Sequence, residues 1–149
     1  LRDAGSSIVL YLPKIQTAEE AGFWNRMMTT LEGHLGLDEG TIKAYVLVEQ
    51  LEQTFQLMEI RAALGLHFVG FNTGRWDYIN SVSDANCWDP EFINPNIESI
   101  VMTYGYMRNY EDRVRRAVNE AKYRLHARRR PWPWRSQLCR GDENQDPEH

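Results

Sequence analysis

The chain has 149 residues, a length that suits one domain with a single core. Its 42% apolar and 26% charged content is ordinary globular usage, which excludes a fibrous or wholly disordered chain. The formal charge of −4 is unevenly spread: residues 1–120 hold 10 Lys+Arg against 17 Asp+Glu, residues 121–149 hold 7 against 4, and the acidic body argues against a nucleic-acid partner.

The chain starts at Leu1, not at a methionine, and its first seven residues lead directly into an apolar run, as if an upstream part were missing. That run, Ile8–Leu12, reads as a buried strand stopped by Pro13 and followed by Lys14. Thr17 with Glu20 three residues on has the form of a capping box. Ala21, Trp24, Met27, Met28, Leu31 and Leu35 then recur at helical spacing, until Gly33 and Gly36 weaken and end the helix. After a loop over Leu37–Gly40, Ile42–Val48 is apolar apart from Lys43 and reads as a second buried strand, with Glu49 directly behind it. Leu51, Phe55, Met58 and Ala62 mark a second helix ending near Gly65, and His67–Phe71 is a third strand. It delivers the chain to a polar loop, Asn72–Asp77, opened by Gly74. Strand starts about 34 and 25 residues apart suit right-handed crossover units, which build a parallel sheet with ligand sites at the carboxyl ends of its strands. Lys14, Glu49 and Asp77 all fall at those ends.

Asn86–Pro95 is rich in Asn, Asp and Pro and reads as an excursion loop. Beyond it Met107, Tyr110, Val114, Ala117, Val118 and Ala121 form the apolar stripe of another helix, opposite Glu111, Asp112, Arg113, Arg115 and Arg116. Past Lys122 the pattern degrades, and Pro131 and Pro133 forbid a regular helix, so residues 1–121 are expected to form the β/α body and 122–149 a poorly ordered tail. Arg124, Arg128, Arg129, Arg130, Arg135 and Arg140 around Trp132 and Trp134 resemble a nucleic-acid arm only in composition, and a solvated end is the expected reading. No apolar run approaches the roughly 20 residues of a membrane span. Cys87 and Cys139 are far apart and lack zinc-ligand spacing, so no disulfide framework is expected and a reducing cytoplasm fits best.

Carboxylates at the ends of neighbouring parallel strands converge on one crevice, where a hard divalent cation takes their oxygens and keeps waters or substrate oxygens. Glu49 and Asp77 are therefore candidate ligands for magnesium, which can polarise an aldehyde or keto oxygen. Gly74 before Arg75, Trp76 and Asp77 lets consecutive backbone amides turn toward an anion such as a substrate carboxylate. The structural alternatives are that Glu49 merely pairs with a lysine and that Asp77 caps a helix after the loop. His34 and His67 lack a second ligand at useful spacing and are expected to be structural, Trp24, Met27 and Met28 to be core, and Tyr104, Tyr106 and Tyr110 to pack on a helix. Cys87 lies in a polar loop without an evident base, which argues against nucleophilic chemistry.

Three blocks carry a family resemblance. GTIKAYVLVE (Gly40–Glu49) and NTGRWDY (Asn72–Tyr78) resemble the two central signatures of malate synthases, and YLPKIQTAEEAGFWN (Tyr11–Asn25) resembles the strand and helix that precede them. The resemblance implies an α/β fold, a partial TIM-type (β/α)8 barrel of parallel strands alternating with helices that is incomplete in this chain, since such barrels need eight strands and about 250 residues. It implies a magnesium-dependent glyoxylate-cycle enzyme that condenses acetyl-CoA with glyoxylate and hydrolyses the product to malate and CoA. Glu49 and Asp77 match its metal ligands, and Gly74, Arg75, Trp76 and Asp77 match its glyoxylate-binding turn. The family's enolate-stabilising arginine and proton-abstracting aspartate match no residue here, so no catalytic residue is assigned and the isolated chain is expected to be inactive. Gln50, Gln53 and Gln56 depart from the family pattern and point to a divergent subfamily. The alternatives are a magnesium-dependent citrate lyase or oxoacid aldolase, which shares the barrel and the carboxylate pair, and a non-catalytic barrel remnant. No membrane partner is expected, and the oligomeric state is open.

Overall fold

In the computed structural model, residues 8–126 are described, with side chains as far as residue 120. Three strands, β1 (Val9–Leu12), β2 (Lys43–Val48) and β3 (Phe68–Thr73), form a parallel sheet in the order β1-β2-β3. Helices α1 (Ala18–Leu35) and α2 (Leu57–Leu64) make the two crossovers, α3 (Arg75–Ala85) follows β3 directly, and α4 (Gly105–His126) comes after an irregular stretch. The backbone of α4 thus continues past the expected boundary at residue 121, and the rest of the expected tail lies outside the described residues.

Local chemistry sets the ends of α1. The Thr17 hydroxyl accepts from the Glu20 amide at 3.2 Å, while the Glu20 carboxylate accepts from the amides of Gln16 at 2.6 Å and Thr17 at 3.1 Å, a complete capping box. At the other end Gly36 takes a left-handed φ of 63°, and the amides of Gly36 and Leu37 bond back to Gly33 and Glu32, which closes the last turn. The buried face of α1 is narrower than its apolar residues suggested: Ala21 and Met28 are buried, whereas Met27, Leu31 and Leu35 are exposed. Glu32 takes the position of a core residue on this face. Its carboxylate accepts from the amides of Gly40 at 2.9 Å and Ile42 at 2.6 Å, and His67 beside it holds the Ile42 carbonyl through Nδ1 at 2.8 Å. Glu32 and His67 therefore satisfy the backbone where the chain enters β2, at the end of the sheet away from Glu49.

The register Leu10↔Ala44 and Leu12↔Val46 puts alternate residues of β1 and β2 on the helix-covered face. There Leu12, Ala44 and Val46 pack with Ala21, Met28, Ile60 and Leu64 of α1 and α2. The same register pairs Tyr11 with Tyr45 on the opposite face, where Val9 and Tyr11 stand about half exposed. Three strands of the eight that close a barrel leave that inner face open among the described residues. A second core gathers Val48 and Leu57 with Tyr78, Ile79 and Val82 of α3 and Met107, Tyr110 and Val114 of α4. Val118, expected on the apolar stripe of α4, is exposed.

The segment after β2 also differs from expectation. A short 3-10 turn over Glu52–Phe55 precedes α2, so the buried positions are Leu57, Ile60 and Leu64, and Phe55 is exposed under the Arg113 guanidinium, 4.5 Å from its ring centroid. The polar stretch Asn72–Asp77 is not a loop. Asn72 and Thr73 complete β3, Gly74 is the N-cap of α3, and Arg75, Trp76 and Asp77 are its first turn. Polarity at these positions reflects their place at the open ends of the strands.

Candidate functional site

Glu49 follows the last residue of β2, and its side chain is 1% exposed, which for a carboxylate requires partners on every side. The Lys14 amide donates to Glu49 Oε1 at 2.7 Å. Its aim comes from an uncommon backbone: Lys14 has φ 57°, left-handed for a side-chain-bearing residue, directly after Pro13 stops β1. The backbone amide of Glu49 in turn donates to Gln53 Oε1 at 3.0 Å, and Gln53 Nε2 donates to the Leu47 carbonyl at 3.1 Å. Gln53 thus clamps the turn that presents Glu49, Gln56 accepts from the Ala18 amide at 3.2 Å and Gln50 Oε1 accepts from Ser81 Oγ at 3.5 Å, so all three departures from the family pattern have structural partners.

Asp77 reaches the same point from the first turn of α3, as the convergence of strand ends required. Lys14 Nζ lies 2.8 Å from Asp77 Oδ1 and 3.6 Å from Glu49 Oε2, so one ammonium faces both carboxylates. Burial pushes the Glu49 carboxyl above the ordinary carboxylate range, against the pull of the Lys14 amide, while the hydrogen bond from the Lys14 ammonium holds Asp77 below it. The Lys14–Asp77 ion pair is exposed on both sides and contributes about 0–1 kcal/mol.

Gly74 lies against Glu49. A β-carbon on it would stand 2.8 Å from Glu49 Cβ and 3.2 Å from Glu49 Oε2, so the position needs a residue without one. Its φ is −110°, so close approach, not a left-handed backbone, calls for glycine. Its amide is already engaged, by the Val48 carbonyl at 2.9 Å and Tyr110 Oη at 2.9 Å. Tyr110 also donates its hydroxyl to the Val48 carbonyl and stacks on Tyr78 at 3.9 Å. This buried tyrosine, expected only to pack, ties α4 to the residues immediately before Glu49 and Arg75. Nothing in its sequence position signalled that, because its partners are 36 and 62 residues away.

Of the turn residues, the Arg75 guanidinium lies 4.4 Å over the Trp76 ring and donates to the Ile100 carbonyl, so its side chain braces the irregular stretch that leads into α4. Trp76 is about half exposed. The amides of Arg75, Trp76 and Asp77 belong to the first turn of α3, where no intrahelical acceptor exists. Among the described residues there is no group of three or more His, Cys, Asp or Glu side chains that could hold a metal ion. The pair Glu49 and Asp77 alone still fits a hard cation such as magnesium, which binds through one or two carboxylates and keeps several other oxygens. A cation already stands between them, in the form of the Lys14 ammonium. Cys87 is exposed and free, and no helix among the described residues is long and apolar enough to cross a membrane.

The fold and the site define a segment of a parallel β/α barrel with a carboxylate pair at the carboxyl ends of its strands. A citrate lyase from Burkholderia xenovorans LB400 shares this fold, with a TM-score of 0.57 at 14% identity over 74% of this chain and 32% of that one. The family of the malate synthase TIM-barrel domain matches residues 1–127. A bifunctional glyoxylate cycle protein of Caenorhabditis elegans is 46% identical over 77% of this chain, and malate synthase A of Escherichia coli (strain K12) is 39% identical over 71% of it. The malate synthase of Streptomyces clavuligerus is 37% identical over 75%. The chain belongs to the malate synthase family. It spans 12% of the length of the C. elegans protein and 20% and 21% of the two bacterial enzymes.

Proposed function

We propose that this chain carries the metal-binding and oxoacid-binding part of a malate synthase, an acyltransferase that joins the acetyl group of acetyl-CoA to glyoxylate and releases malate and CoA. The observation that carries the reading is the convergence of Glu49 and Asp77 on one point, with Gly74 allowing the start of α3 to approach the Glu49 carboxylate. Glu49 and Asp77 would hold magnesium, which when bound would polarise the glyoxylate aldehyde and offset charge on its oxygen. The first-turn amides of α3, from Arg75 to Asp77, receive the glyoxylate carboxylate, favoured by the positive end of the helix dipole. Gly74 does not serve this directly, because its amide is bonded to Val48 and Tyr110, and instead brings the helix up to Glu49.

Forming the carbon–carbon bond also needs a base for the acetyl methyl proton and a cation for the enolate. No residue of the chain matches the family's aspartate and arginine for those tasks, so the isolated chain binds without turning over. The cytoplasm is the proposed location, in keeping with the exposed free thiol of Cys87. Isothermal titration of the purified chain with glyoxylate, with and without Mg2+, tests the reading: binding is expected only with the metal and is lost in Asp77→Asn. Failure of glyoxylate to bind the Mg2+-loaded chain, or CoA release from acetyl-CoA and glyoxylate by the chain alone, would overturn it.

A further inference from the structure

We propose that Lys14 is a tethered counter-cation for the carboxylate pair, its ammonium holding Glu49 and Asp77 together in the metal-free chain and withdrawing when a divalent ion enters. The inference rests on the reading that these carboxylates take such an ion. Its basis is a division of labour within one residue. The backbone amide of Lys14 holds Glu49 Oε1 at 2.7 Å, and the left-handed φ of 57° that aims this amide is one that lysine rarely adopts. That grip does not depend on where the side chain goes. The ammonium, 2.8 Å from Asp77 Oδ1 and 3.6 Å from Glu49 Oε2, sits on a flexible four-carbon stem and is 55% exposed, so it can leave for water without disturbing the backbone contact.

Metal and ammonium compete for the same oxygens. Magnesium needs contacts of about 2.0–2.1 Å, far shorter than an ammonium hydrogen bond, and two cations do not share one carboxylate oxygen at close range without strong repulsion. In the metal-free state the ammonium offsets the repulsion that would otherwise separate a buried and a half-exposed carboxylate. The site is thus kept assembled before the metal arrives, which a pair of free carboxylates on separate elements would not achieve.

Two measurements on the 149-residue chain test this. The first is Mn2+ affinity, read from the electron paramagnetic resonance signal of free Mn2+, in wild type and Lys14→Met. The variant keeps the stem and the backbone amide, and its affinity is expected to tighten by roughly two- to fivefold, as fits the loss of a half-exposed ion pair. If wild type binds and the variant binds equally or more weakly, the Lys14 proposal fails while the metal site stands. If neither binds, the metal reading fails and takes this proposal with it. The second uses wild type alone, so it holds even where the variant does not fold: amine-specific labelling followed by mass spectrometry, with Lys43 as internal reference. Saturating Mg2+ is expected to increase labelling of Lys14 several-fold relative to Lys43. Unchanged or reduced labelling of Lys14 would overturn the proposal.

Discussion

Gly74→Ala is the substitution that most directly probes how the site is packed. The new methyl group would stand 2.8 Å from Glu49 Cβ and 3.2 Å from Leu47 Cδ1, distances at which something must move. Glu49 Cβ is fixed by β2, so the shift falls on α3 or on the Glu49 carboxylate. Overpacking of this kind costs about 1–3 kcal/mol. Alanine is also a poorer N-cap than glycine, while its smaller unfolded-state entropy returns about 0.4–1 kcal/mol, and the two roughly cancel. With a urea slope of about 1–3 kcal/mol/M for a chain of this size, the midpoint should fall by about 1 M. Gly22→Ala is the matched control. Its β-carbon would meet only Arg26 Nη1, at 3.6 Å, in the interior of α1, so it should raise stability by up to about 1 kcal/mol. Equilibrium urea unfolding followed by circular dichroism compares the two, and Mn2+ affinity should weaken in Gly74→Ala alone. An unchanged midpoint for Gly74→Ala would refute the close approach of α3 to Glu49.

Tyr110→Phe keeps the ring stacked on Tyr78 but removes the hydroxyl shared by Val48 and Gly74, which still bond to each other, so urea unfolding should show a loss of only about 1–2 kcal/mol. A loss as large as that of Tyr110→Ala would show that the hydroxyl, not the ring, holds α4. The phenols of Tyr78, Tyr106 and Tyr110 are pushed above their ordinary value by burial, so the stability they contribute is full below about pH 10 and is lost as pH rises from there through their raised folded values. Absorbance at 295 nm should therefore show a tyrosine fraction that ionises only together with alkaline unfolding, and ionisation of every tyrosine before unfolding would contradict the burial of α4 against α3.

The sequence was most informative where one local rule governs. The capping box at Thr17 and Glu20, the left-handed glycine after α1 and the parallel β/α order follow from short-range chemistry and crossover length. The strand-end position of Glu49 and Asp77 followed from the same order and from the malate synthase signatures. What escaped depends on partners distant in sequence. Glu32 is buried because it serves amides 8 and 10 residues away, so it interrupts an apolar face that looked continuous. The 3-10 turn before α2 moved the buried stripe off Phe55, since helical periodicity cannot register a change of turn at its own start. Asn72–Asp77 looked like a loop because polar residues replace the apolar pattern at a strand end and a helix start. Tyr110 gave no local sign that it joins Val48 and Gly74.

Whether Glu49 and Asp77 form one divalent-cation site is read directly by titrating the chain with Mn2+ and counting bound ions by electron paramagnetic resonance, in wild type, Glu49→Gln and Asp77→Asn. One saturable Mn2+ per chain is expected, weakened at least about tenfold by either substitution, as loss of a carboxylate ligand to a hard cation requires. Saturable binding that survives both substitutions, or no saturable binding in wild type, would contradict it.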